Sequence, residues 1–294
     1  MSNRLNIQMP PGIRVDACRH GLFASIEGDT HIGRSLQAYG EWSEGEVALL
    51  SQILRPGDVV VDAGANIGAH AIPFARKVGP EGRVFAFEPQ PRIHDLLTVN
   101  AFMNGLGNVV PILAGLGAAP GHARFPDRLE PQNFNFGGIR LDPFIKNRIA
   151  GDRHVQIPIG PLDEMLDLDR LRLIKADVEH MELDLIKGAA RTIERHQPVV
   201  LLENGDPAET DSLTEAMAPF GYQGYWLAEF IYRRNNHRGN PENLFGTQAC
   251  CNILFAPKSF HVKQMRPVEG PESHPFVKPK PSDPQTVTTG APAE

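Results

Sequence analysis

Short apolar runs, each closed by a carboxylate or a glycine, alternate along this chain with stretches of helical periodicity. The most informative run is Val59, Val60, Val61 and Asp62. Three consecutive β-branched residues suit a strand buried on both faces of a parallel sheet, and Asp62 ends it. Gly64 and Gly68 then let the backbone turn tightly and approach a ligand with no side chain between. From Gly68 to Val78, the residues Ile72, Ala75 and Val78 recur on one helical face. A strand, a glycine loop and a helix in that order make a nucleotide-type binding corner, placed at the carboxyl end of its strand. A plain βα turn with structural glycines is the alternative.

The same alternation predicts the remaining elements. Residues 13–36 carry short alternating runs and read as a small hairpin. A helix follows over 47–54, with Ser43 and Glu46 as a capping box and Pro56-Gly57 as its stop. Residues 84–88 are a second strand, 91–104 a helix and 108–113 a third strand. Residues 114–153 are rich in Gly, Pro and Asn, and the segment 132–138 reads as a solvated loop. Residues 155–159 suit an edge or hairpin strand, where Pro158 is tolerated, and 162–169 a short acidic helix. Further on come a strand with Leu173 and Ile174, a helix over 183–195, a buried strand over 198–203, a helix over 209–219, and strands over 221–227 and 249–257. Beyond about Gln264 the chain is proline-rich and poor in large apolar residues, which predicts disorder. The division expected is an N-terminal cap over 1–45, an α/β domain over 46–260 and a disordered tail over 261–294.

Charge and composition narrow the partners. A net charge of −6 over 294 residues leaves no basic footprint for nucleic acid. No apolar run approaches a membrane span, and the first twelve residues lack the core of a signal peptide. Cys18, Cys250 and Cys251 make neither a disulfide framework nor a CxxC metal pattern. A soluble, cytoplasmic protein is expected.

The glycine corner does not fit a dinucleotide. In G-x-G-x-x-G, Asn66 takes the second glycine position and Ala69 the third. Asp62 beside the loop would also offset the positive helix N-terminus that phosphate sites use. S-adenosylmethionine has no phosphate and carries an ammonium and a sulfonium, so an acidic corner suits it. Glu88 ends the next strand, where an acid reaches ribose hydroxyls. The predicted cofactor residues are therefore Asp62, Gly64, Asn66, Gly68 and Glu88. Tyr39 joins them if the helix before the corner covers the cofactor mouth; packing is the other reading of Tyr39 and Trp42.

A second cluster is acidic. Asp177, Glu179 and Glu182 lie within six residues at a strand-to-helix junction. Helix capping explains one of them, not three, and gathering like charges is costly. Glu203 closes the next apolar strand. Asp177, Glu179 and Glu203 thus come from the ends of two strands and are the candidate catalytic residues.

Four blocks, over residues 59–75, 84–105, 173–189 and 198–204, resemble the successive motifs of FkbM-type S-adenosylmethionine-dependent methyltransferases, in order and spacing, across roughly residues 20–257. The resemblance implies a class I methyltransferase (Rossmann-like) fold: a seven-stranded, mostly parallel sheet with helices on both faces, the run ending at Pro257 being antiparallel. It also implies S-adenosylmethionine as cofactor and O-methylation, often of sugar or polyketide hydroxyls. The family usually reads D-V-E-G-A-E over 177–182, where this chain keeps the acids but has His180 and Met181. That change adds bulk beside the expected reaction centre and bears on the substrate.

Methyl transfer to a hydroxyl needs a group to accept its proton. Asp177, Glu179 or Glu203 supplies it, with His180 a second candidate. Carboxylates holding Mg²⁺ are the second reading; a metal-free site ranks first, since no residue here is specific to a metal. The acceptor expected is a small molecule or glycan. Amine methylation and non-catalytic cofactor binding are the remaining alternatives, and the missing D/N-P-P-Y signature counts against base methylation.

Overall fold

The Val59–Val61 run lies in the middle of the main sheet, and its side chains alternate between two separate cores. Val59 and Val61 face one, Val60 the other, which is what a strand buried on both faces requires. The structure is a computed structural model and describes residues 11–126, 134–138 and 154–277.

In chain order, strands β1 (Ile13–Cys18) and β2 (Gly21–Ile26) form an antiparallel hairpin, followed by helices α1 (Ile32–Tyr39) and α2 (Glu44–Ile53). Strand β3 (Val59–Ala63), helix α3 (Ala71–Val78), strand β4 (Arg83–Phe87), helix α4 (Pro91–Met103) and strand β5 (Val109–Ile112) come next. Strands β6 (Gly115–Leu116), β7 (Gly121–Pro126) and β8 (His154–Gly160) make a small separate sheet. Then follow α5 (Leu162–Met165), β9 (Leu173–Ala176), α6 (Glu182–Gly188), α7 (Ala190–His196), β10 (Val199–Glu203), α8 (Thr210–Met217), β11 (Tyr222–Phe230) and β12 (Ala249–Pro257).

The main sheet has the order β11-β12-β10-β9-β3-β4-β5, with β12 antiparallel to both neighbours and the pairs from β10 to β5 parallel. Leu50, Phe74 and Leu97 from α2, α3 and α4 cover one face. Leu162, Leu185, Ile193 and Leu213 from α5 to α8 cover the other. This is the class I methyltransferase sheet, with the strand ending at Pro257 reversed as expected. The order changes direction between β3 and β9, the switch point at which such sheets hold ligands.

The N-terminal elements form a third core with Ile67, Ile93 and Leu96. Asn100, fully buried on α4, ties the hairpin to the glycine loop. Its Oδ1 accepts from the Ala24 N–H at 2.6 Å, and its Nδ2 donates to the carbonyls of Ala24 and Ile67. Among the described residues no helix is long and apolar enough to cross a membrane.

Several local expectations are corrected. Residues 13–36 contain a hairpin, but α1 begins within them. Ser43 precedes α2 with φ 44 and makes no side-chain cap bond. Glu229 on β11 takes that role, its carboxylate accepting from the N–H groups of Gly45 and Glu46 at 2.7 and 3.0 Å. Glu46 is thereby left to point inward. The helix expected over 183–195 is broken into α6 and α7 near Gly188, where a Cβ would collide with the Gly117 carbonyl. Strand β8 is central rather than at an edge, yet β6 joins it only at Ile159 and Gly160, so beside Pro158 one flank has no partner strand among the described residues.

The tail also departs from expectation. Residues 278–294 lie outside the described residues, but 266–268, Ser273, His274 and Phe276 contact β11. The Trp226 N–H donates to the Arg266 carbonyl, the Val268 N–H donates to Gly224, and Tyr225 bridges to Pro267. Val268 enters the main core. Trp226 Nε1 donates to Ser273 Oγ at 2.9 Å, and the His274 ring stands edge-on to the indole. Proline does not prevent this docking, because the free edge of β11 supplies the backbone partners and one valine the apolar anchor. Burying a valine alone contributes about 1.5–3 kcal/mol. Truncation after Ser259 is therefore expected to lower the melting temperature by at least about 3 °C, at roughly 2–4 °C per kcal/mol for a domain of this size. An unchanged thermal unfolding curve would show the contacts to be without energetic weight.

Candidate active site

The carboxyl ends of β3, β4, β9 and β10 open into one cavity of about 360 Å³. Gly64, Asn66 and Glu88 line it from the glycine corner, and Asp177, Glu179 and Glu203 line it from the acidic side. Six of the nine predicted residues are thus brought to one cavity. Asp62 and Gly68 lie beneath it. Gly68 packs on Leu97 and Ile72. Tyr39 is elsewhere: it is fully buried, its hydroxyl donates to the Glu242 carbonyl and accepts from the Leu244 N–H, and its ring packs on Tyr232 and Phe245. It secures the 232–245 loop to α1, and Trp42 rather than Tyr39 reaches the cavity wall.

The glycine loop is shaped by two backbone requirements. Gly64 has φ 73, and a Cβ there would collide with the Asp177 carbonyl oxygen. Asn66 has φ 49, a left-handed conformation that asparagine tolerates better than most residues. This turn aims the Asn66 N–H at Glu88 Oε2, 2.9 Å away, while the Gln90 N–H donates to Oε1 at 2.9 Å. Burial pushes the Glu88 carboxyl up to about 7, against these two N–H bonds that favour its charge. Gln90 in turn donates to the Phe136 carbonyl. The segment 134–138, read from sequence as a solvated loop, therefore closes one side of the cavity, with Asn135 and Gly137 on its lining.

The acidic side is more tightly organised than its sequence suggests. Oxygens of Asp177, Glu179 and Glu203 lie within 4.8 Å of one another. Lys175, which the sequence reading passed over, is buried beside them, with Nζ 3.4 Å from Asp177 Oδ2 and 3.8 Å from Asp62 Oδ1. Its signal was present: a lysine inside an apolar strand, two residues before Asp177 and so on the same face. Burial alone would raise the Asp177 carboxyl, but the Lys175 ammonium and a hydrogen bond with Glu203 bring it below the usual range. Glu203 is pushed well above that range, first by the charge of Asp177 and then by burial. The two facing acids are thus shifted in opposite directions, an arrangement that favours the charge on Asp177 and the proton on Glu203.

The remaining acid has a structural use. Glu182 accepts from the Val178 N–H at 3.0 Å and is buried. Glu179 and His180 have φ 52 and 73, so both are left-handed, His180 at the position where the resemblance would place glycine. Histidine adopts that backbone with its ring Nδ1 2.6 Å from Glu209 Oε1. A second buried polar pair, also unseen in the sequence, joins α2 to the cavity. Glu46 Oε1 accepts from Asn252 Nδ2 at 2.6 Å, and Glu46 Oε2 lies 3.2 Å from His70 Nε2, off the hydrogen-bonding direction.

The site fits S-adenosylmethionine on its own chemistry. Both carboxylate oxygens of the fully buried Asp62 lack a hydrogen-bond partner among the described residues, with Lys175 Nζ 3.8 Å from Oδ1, so the acid adds negative field beneath the corner, which suits a cationic ligand. Glu88, whose oxygens accept the Asn66 and Gln90 N–H groups, lines the cavity together with Gly64 and Ala65. Glu88→Ala is expected to weaken S-adenosylhomocysteine binding more than about tenfold, since hydrogen bonds to a charged group contribute roughly 1.5–3 kcal/mol. Calorimetric titration checks this, and an unchanged affinity would remove Glu88 from the ligand site.

A class I sheet with this cavity at its switch point is the architecture of the class I methyltransferases, and sequence comparison gives the same class. The Methyltransferase FkbM domain matches residues 62–227. Methyltransferase sdnD of Sordaria araneosa is 30% identical over 189 residues, covering 54% of this chain and 70% of that protein. Hexuronic acid methyltransferase AglP of Haloferax volcanii is 29% identical over 151 residues, covering 50% of this chain and 56% of that protein. The crystal structure of methyltransferase FkbM from Methylobacillus flagellatus KT aligns with a TM-score of 0.42 at 19% identity, covering 71% of this chain and 50% of that one. The chain belongs to the FkbM methyltransferase family and is an S-adenosylmethionine-dependent methyltransferase.

Proposed function

We propose that the protein methylates a hydroxyl group of a small-molecule or glycan acceptor, with Asp177 as the proton-accepting base. The observation that carries this reading is the Asp177–Glu203 pair on the cavity wall, with Lys175 Nζ 3.4 Å from Asp177 Oδ2, an arrangement that favours charge on Asp177 over Glu203. Bound S-adenosylmethionine supplies a methyl group already activated by its sulfonium. The chain's own work is then to hold the acceptor in line and to exclude water, which can supply about 7–11 kcal/mol. A hydroxyl placed against the acidic wall loses its proton to Asp177 as its oxygen is methylated, because only the ionised member of the pair can take one. Glu203, retaining its proton, is a donor that orients the acceptor or Asp177.

The same wall opposes other acceptors. Carboxylates and nucleic-acid phosphates would face Asp177 and Glu179 at close range, where like charges repel. The cofactor side is proposed for Asp62, Gly64, Asn66 and Glu88, with Gly68 shaping the turn beneath. Transfer of a labelled methyl group from S-adenosylmethionine to a panel of methyl glycosides, including a glucuronoside, tests the reading. An alkali-stable ether, formed equally well after exhaustive chelation, is the expected product. An alkali-labile methyl ester, or loss of transfer on chelation restored by Mg²⁺, would contradict it.

A further inference from the structure

Three carboxylates whose oxygens lie within 4.8 Å of one another resemble the oxygen set of a hard divalent cation. Their surroundings do not. Lys175 is 4% exposed and enters from beneath. Its strand is held between two others, paired with Asp62 on β3 and Leu201 on β10. That register fixes the start of the side chain, and the largely buried side chain reaches the floor of the cavity. Nζ is 3.4 Å from Asp177 Oδ2 and 3.8 Å from Asp62 Oδ1. A divalent ion bound by Asp177 would face this ammonium at a few ångströms in a partly dry site, where repulsion is screened far less than in water.

We infer that Lys175 is the built-in counter-cation of Asp177, a fixed charge at the edge of the carboxylate cluster that opposes binding of a divalent metal there. It is a positioning residue. It bridges the acid beneath the glycine corner, Asp62, to the acid at the reaction end, Asp177, and holds the latter ionised and aimed at the cavity. The assignment deepens the methyltransferase reading and rests on it for the meaning of that aim. It further predicts a latent metal site. With the ammonium removed, the Asp177 carboxylate of the cluster loses the cation 3.4 Å away that would repel a divalent ion.

Manganese binding to the full chain, followed by loss of the free Mn²⁺ electron paramagnetic resonance signal, tests this. The wild-type protein is expected to bind Mn²⁺ no better than its Glu179→Gln variant. Lys175→Met is expected to bind at least about tenfold more tightly than wild type, since it exchanges a repelling charge for none, and added Glu179→Gln should reverse the gain. Removing a buried lysine leaves Asp62 unpaired, so Lys175→Met combined with Asp62→Asn provides a second background with less uncompensated charge. Wild-type binding that disappears on Glu179→Gln would overturn the inference, as would folded Lys175 variants with no gain in affinity. S-adenosylhomocysteine titration of the wild type is read separately: its failure would remove the methyltransferase reading while leaving the manganese result intact.

Discussion

Asp177→Asn is expected to lower turnover by about 10²–10⁴-fold, the usual range for a general base, with S-adenosylhomocysteine affinity nearly unchanged. The amide keeps the size of the carboxylate and can still meet Glu203, but it cannot take a proton. Its nitrogen also donates where the acid accepted, so the 3.4 Å approach of Lys175 is weakened. Because Lys175 and Glu203 hold Asp177 below the usual carboxylate range, the wild-type rate should rise with pH only on the acid side, as Asp177 ionises, and be level through neutrality. Comparison of single-turnover rates with calorimetric affinity separates chemistry from binding. A variant that turns over normally would move the base to another residue, with Glu179 the next to test.

Gly64→Ala is expected to damage both stability and cofactor binding. Alanine at φ 73 costs about 1–2 kcal/mol in a left-handed conformation. The added Cβ also meets the Asp177 carbonyl, a backbone atom that cannot rotate away. Relief requires β3 and β9 to separate at their carboxyl ends, which moves the glycine loop and the acidic wall together. A fall in melting temperature of at least about 4 °C is expected from the backbone cost and the collision combined, with loss of measurable S-adenosylhomocysteine binding. Retained affinity would mean that the loop's close approach to β9 is not what shapes the cofactor site.

What the sequence made legible follows the range of the interactions involved. Strands β3, β4, β9 and β10 were readable because their apolar runs report burial on both sheet faces, a property carried by adjacent residues. The acids ending those strands converge because parallel strands put their carboxyl ends on one edge, so Asp177, Glu179 and Glu203 could be grouped without coordinates. Long-range partners were not legible. Glu229 caps a helix by accepting from Gly45, 184 residues earlier in the chain, and nothing local to Ser43 signals that its own cap is unused. Tyr39 has the composition of a cofactor-stacking residue, but its hydroxyl is occupied by residues over 200 positions away. The tail reads as disordered because its few apolar residues are spaced widely, yet Val268 and Ser273 meet partners on β11 that a composition count does not register. Lys175 shows the same limit at the site itself. Its charge was visible, and its role depends on Asp62 lying beside it in the neighbouring strand.

Calorimetric titration of the wild-type protein with S-adenosylhomocysteine and, separately, with NADH tests the central claim most directly. Asp62 beneath the loop, the left-handed Asn66 and the doubly bonded Glu88 predict saturable one-to-one binding of S-adenosylhomocysteine and no heat of binding from NADH. Binding of NADH with no response to S-adenosylhomocysteine would contradict the account.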